Sequence, residues 1–126
     1  MIINYGGVFM NILEILKQVK NNLEVTLPIM EGREKGSLVL NVDMTVQDWG
    51  YLTDHEKNED YVAFIIKEDP SNFYFGGSVT TDKFKKIDAM GEEVVSMLKV
   101  HGMPVIFEAK KSKATNMTYH DMIISA

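Results

Sequence analysis

Four rings and three lysines are the side chains best suited to act on a partner: Trp49, Tyr51, Tyr61 and Tyr74, with Lys110, Lys111 and Lys113. An exposed ring on a strand offers a flat face for stacking, and lysines at its edge follow an anionic backbone. Tyr74 alternates with Phe73 and Phe75 in "SNFYFGGSVTT" (Ser71–Thr81). If those phenylalanines face inward with Phe64 and Phe107, Tyr74 faces out. In "YVAFIIK" (Tyr61–Lys67), Val62, Phe64 and Ile66 read inward, which leaves Tyr61 outward with Ala63, Ile65 and Lys67. The plainer reading of each tyrosine is a strand-edge residue that packs and finds a partner for its hydroxyl.

Other chemistries find little in the sequence. There is no cysteine, which removes disulfides, thiolate nucleophiles and cysteine-held metals. His55, His101 and His120 are scattered without ligand spacing, so no metal site is expected. There is no P-loop and no dinucleotide fingerprint, and the pair Gly76–Gly77 alone does not make a phosphate cradle. No nucleophile–base pair stands out. The expectation is a binding protein that is not an enzyme and has no cofactor.

The elements that must position these residues follow from periodicity. Asn11 and Glu14 match a capping box, and Ile12, Leu16, Val19 and Leu23 recur at helical spacing, predicting an amphipathic helix over 11–23. Leu38, Leu40, Val42, Met44 and Val46 alternate with Val39, Asn41, Asp43, Thr45 and Gln47, the pattern of a long half-buried strand. Continued, that alternation puts Trp49 and Tyr51 on the polar face unless a bulge at Gly50 swaps the faces. Strands follow at Tyr61–Lys67 and Phe73–Val79. A helix then spans Thr81–Val100, capped by Thr81, with Phe84, Ile87, Gly91, Val94 and Leu98 on one face. Gly91 marks either a break or a close-packing point. Strands at Val105–Lys111 and Thr118–Ser125 complete the chain.

This order, three strands, a helix and two strands, is that of the OB-fold. The expected architecture is mainly β with helices (α+β), a five-stranded Greek-key barrel with an added N-terminal helix. The chain resembles the small OB-fold single-stranded-DNA-binding proteins of bacteriophages and mobile elements over about Leu38 to Ile124, in architecture rather than in a motif. The resemblance implies non-enzymatic binding of single-stranded nucleic acid in replication or recombination. It places the binding face on the second and third strands, beside loops Thr53–Asp60 and Ser112–Met117. In that setting Gly76 and Gly77 would relieve crowding where the third strand curves, with aromatics covering them.

With 126 residues, 45% hydrophobic and 25% charged, one domain over 10–126 is expected. Residues 1–9 read as a translated leader, because Gly6–Gly7 just before Met10 matches an in-frame ribosome-binding sequence; the alternative is an arm. No apolar run is long enough to span a membrane and no signal peptide is evident, so a cytoplasmic location is expected. Net charge is −5, and the lysines gather in the second half, where Lys83, Lys85, Lys86, Lys99, Lys110, Lys111 and Lys113 lie. An acidic chain with nine methionines also suits a module or inhibitor that grips a replication, recombination or host-defence protein. Charge and apolar surface decide between the two. A positive groove lined by rings favours nucleic acid; a negative surface with an apolar patch favours protein. The apolar first helix could close the barrel or join two copies.

Overall fold

A computed structural model describes residues 2–5, 8–23 and 26–126. β1 (Ile2–Tyr5) and β2 (Val8–Asn11) form an antiparallel hairpin that runs directly into α1 (Ile12–Leu23). The Asn11 side chain accepts the Glu14 N–H at 2.9 Å, so the cap expected from sequence is in place. After a single helical turn at Pro28–Met30 come β3 (Glu34–Lys35), β4 (Met44–Asp54), β5 (Glu59–Ile66) and β6 (Asn72–Phe75). α2 (Ser78–Asp88), α3 (Glu92–His101), β7 (Met103–Lys111) and β8 (Thr118–Ile124) complete a mixed α+β fold.

Six strands lie in one sheet in the order β3-β6-β5-β4-β7-β8, antiparallel except for the short parallel pair of β3 with β6. The order of the main strands along the chain and the mainly β character with helices are as the sequence suggested. The closed five-stranded barrel is not: among the described residues no ladder joins β8 back to β6 or β3, and the sheet stays open. The cause is local. β6 ends at Phe75, where Gly76 turns the chain out; a Cβ on Gly76 would lie 2.6 Å from Val62 Cγ1 and 2.8 Å from Thr80 Cγ2, so no side chain fits. Gly77 meets nothing within 4 Å, so only one of the two glycines is required by crowding.

α2 then occupies the seam that a closed barrel would pair. On one side the Thr81 hydroxyl accepts the Val62 N–H at 3.0 Å. On the other, the Thr80 hydroxyl donates to the His120 carbonyl at 3.2 Å, and Lys83 Nζ donates to the Met122 carbonyl at 2.8 Å. Side chains of one helix thus satisfy backbone groups of β5 and of the edge strand β8. Thr81, read as a helix cap, serves here instead, and α2 begins at Ser78.

Two further corrections concern phase. Val46 pairs with Ile66 and Asp48 with Ile65, which leaves Gln47 as an extra residue, a β-bulge. Everything after it changes face. The strand also starts later than the alternation implied, at Met44, because Asn41 sits at φ +61° with its N–H bonded to the Phe107 carbonyl. Leu38 and Leu40 still pack on the core from this irregular segment. The expected helix Thr81–Val100 is two helices, broken at Gly91, whose φ of +108° favours glycine. The core lies between the sheet and α2–α3, and Phe64 is its centre, stacked on Phe84, Phe107 and Tyr74 at 5.4–5.8 Å. No described helix is long and apolar enough to cross a membrane.

Candidate functional site

Asp88, the last residue of α2, organises the surroundings of the only tryptophan. Its Oδ1 accepts the Trp49 indole N–H at 3.0 Å, and its Oδ2 accepts the Tyr51 hydroxyl. Burial, and then the adjoining Asp88 carboxylate, push the Tyr51 hydroxyl far above the ordinary tyrosine range, so it stays a donor. Lys99 of α3 sits 4.7 Å from the centre of the Trp49 ring, pairs with Asp48 at 2.9 Å and donates to the Trp49 carbonyl. Lys85 reaches over the Tyr51 ring at 5.8 Å and pairs with Asp60 at 3.2 Å; the hydrogen bond from the Thr53 hydroxyl, and then Lys85, hold that carboxyl below its usual range. Between the helices Asp88, Glu92, Val95, Ser96 and Lys99 line a shallow cleft of about 320 Å³. Both oxygens of Asp88 are occupied by donors, and Lys99 is held by Asp48. This arrangement fastens α2 and α3 to β4.

The predicted binding residues are not brought together. Trp49, only 4% exposed, lies in the core against Phe84 because the bulge at Gln47 turned it inward. Tyr51 follows it, half-buried. Tyr74 is also 4% exposed and stacks on Phe64, while its hydroxyl donates to Asp69. Phe73 and Phe75 therefore occupy the opposite face, the reverse of the expected alternation. Burial, and then Asp69, raise the Tyr74 hydroxyl to about 12, and the Tyr74 and Asn72 hydrogen bonds hold Asp69 below its usual range. Tyr61 lies on the other side of the sheet, its ring edge-on to Phe75 at 5.2 Å.

The lysines divide as well. Lys110 is tied to Asp121 at 2.6 Å, and Lys83 meets the other oxygen of that carboxylate at 2.5 Å. Burial pushes Asp121 up, but the bonds from Lys110 and Lys83 outweigh it and the carboxyl lies below its ordinary value. The same hydrogen bond raises Lys110. Lys111 and Lys113 are exposed on the β7–β8 hairpin. Among the described residues no cluster of histidine, aspartate and glutamate has the makings of a metal site.

No protein-family model matches this chain, and neither does any curated protein or solved structure.

What the molecule does present to solvent is apolar and helical. On α1, Ile12, Leu13, Leu16 and Val19 are exposed, and the spacing of Ile12, Leu16 and Val19 makes one continuous stripe. On α3, Val94, Met97 (57% exposed) and Val100 (83%) form another, with Met90 nearby at the α2–α3 corner. Sequence periodicity missed the second stripe. It ran one face through Gly91 and assigned Val94 inward, whereas the break rephases the helix so that Val95 and Leu98 pack on the core. The signal that could have found it is the surplus of apolar residues in "VVSMLKV" (Val94–Val100), more than one buried face can use.

Proposed function

We propose that the chain is a non-enzymatic protein-interaction module that engages its partner through α1. The carrying observation is the exposed stripe Ile12, Leu16 and Val19, with Leu13 beside it, on a helix whose cap is already formed. Apolar residues at i, i+4 and i+7 are the anchors by which an amphipathic helix enters a groove of another protein. Folding leaves these large apolar residues in water, and docking would remove them from it, a gain of about 25 cal/mol per Å² covered. The net charge of −5 agrees, since it opposes close approach to phosphate. A protein of replication, recombination or host defence is the partner class we favour.

Single-stranded nucleic acid is the competing proposal. Its support is now exposed Lys111 and Lys113 and the part-exposed Tyr51 and Tyr61, since Trp49 and Tyr74 are interior.

The test is affinity capture from a lysate of the source cells, comparing the full chain with Leu16→Glu and with Lys111→Glu/Lys113→Glu. A protein retained by the wild type and by the lysine variant but lost with Leu16→Glu supports the reading. Nuclease-sensitive capture that depends on the lysines and ignores Leu16 contradicts it.

A further inference from the structure

The outer face of α3 has an internal symmetry. Counted from Met97, Val94 and Val100 lie three residues to either side, and Glu93 and His101 lie four to either side. All five are exposed, and on a helix these spacings fall on one face. A two-fold axis through Met97 would set this face against itself in antiparallel. Each Val94 then meets Val100 of the other copy, Met97 meets Met97, and Glu93 meets His101. Isologous contacts require this reciprocity, in which residue i contacts j and j contacts i. The polar groups are complementary only in that direction: the His101 imidazole N–H can donate to the Glu93 carboxylate, whereas a parallel pairing would put glutamate on glutamate.

We infer that the chain self-associates through α3, as a two-fold antiparallel helix pair centred on Met97. The occupant of this stripe is a second copy, independently of whatever α1 binds. Three features favour it over another protein. The stripe is self-complementary in the order of its apolar residues and in its donor–acceptor pair. Valines either side of the axis are small enough to let two helices approach to the ordinary interaxial distance, with Met97 adapting between them. The antiparallel arrangement also sets the positive N-terminal end of each helix dipole beside the negative C-terminal end of the other. The rest of the helix stays available for its structural role: Val95, Leu98 and Lys99 face inward and are unaffected.

One helix per copy gives a contact at the low end of specific interfaces, below about 1,200 Å² in total, so a weak dimer is expected. We take a dissociation constant on the order of tens of micromolar as the expectation for a weak contact of this kind.

Sedimentation equilibrium on the full chain, up to about 500 μM so as to exceed the expected constant tenfold, tests the inference. Wild type should fit a monomer–dimer equilibrium. Met97→Glu, at an exposed position, should stay folded by circular dichroism and weaken the dimer by about 100-fold, since two charges would meet at the axis. Leu16→Glu on α1 should leave the equilibrium unchanged. Glu93→Lys and His101→Glu should each weaken it several-fold, and the double swap should restore it to within about twofold, because the donor and acceptor are re-paired with their positions exchanged. A wild type that remains monomeric overturns the inference. So does a dimer abolished by Leu16→Glu, or a double swap no better than either single change. Failure here leaves the α1 reading standing, and failure of the α1 capture leaves this one.

Discussion

α3 carries two apolar faces with opposite surroundings. On the inner face Val95 and Leu98 pack against a core that includes Trp49, Phe84 and Phe64. On the outer face Val94, Met97 and Val100 meet solvent. Fold stability accounts for the first set and gains nothing from the second. The aromatic rings show the same division in reverse. Trp49 and Tyr74 looked like surface tools and are structural, their polar atoms tied to Asp88 and Asp69. Residue type therefore says little about role here. What distinguishes a binding residue from a core residue is which side of an element it occupies, and this depends on a bulge and a helix break.

Changes on the inner side should produce the largest effects. Phe84 is fully buried between Phe64 and Trp49, and Phe84→Ala should cost about 3–5 kcal/mol in chemical denaturation followed by tryptophan emission. A loss below about 1 kcal/mol would mean that the α2 face is not the core.

An intermediate effect is expected from Tyr74. Its hydroxyl is held protonated up to about 12, against an ordinary value of 10.0. The folded form keeps its proton where the unfolded chain releases it, so this contribution is full below pH 10 and is lost as pH rises towards 12. Tyr51 acts in the same direction. Tyr74→Phe should therefore flatten, though not abolish, the alkaline fall in the denaturation midpoint. An unchanged pH profile would show that Tyr74 is not held as described.

The smallest effect belongs to the outer side. Val100→Ser should change monomer stability by no more than about 0.5 kcal/mol in dilute thermal or chemical melts. A larger loss would place Val100 in a packed environment and remove the contrast.

Much of the fold was legible in the sequence. The strand order came from period-two runs, and the cap on α1 from Asn11 and Glu14. The bulge was suspected but placed at Gly50 rather than Gln47, since one added residue leaves composition and hydrophobicity almost untouched. The helix break at Gly91 was one of two readings, because the apolar face appeared to run through it. Closure of the sheet could not be read at all. It depends on α2 supplying hydroxyl and ammonium groups to β8, and Thr80, Thr81 and Lys83 look like ordinary helix residues until the helix is docked. The candidate site failed in sequence for the first of these reasons: a one-residue shift turned Trp49 inward, and its ring went with it.

The central claim, that the rings build the core while the helices supply the binding surface, is tested most directly by Trp49 emission during a titration with oligo(dT) at low salt. Trp49 is the only tryptophan and is 4% exposed, so it reports on stacking without interference from another indole. The account predicts a flat titration, with no change beyond dilution at any oligonucleotide concentration. Saturable quenching that weakens log-linearly with added salt would contradict it, because that response requires a base on the Trp49 ring and phosphates on lysines.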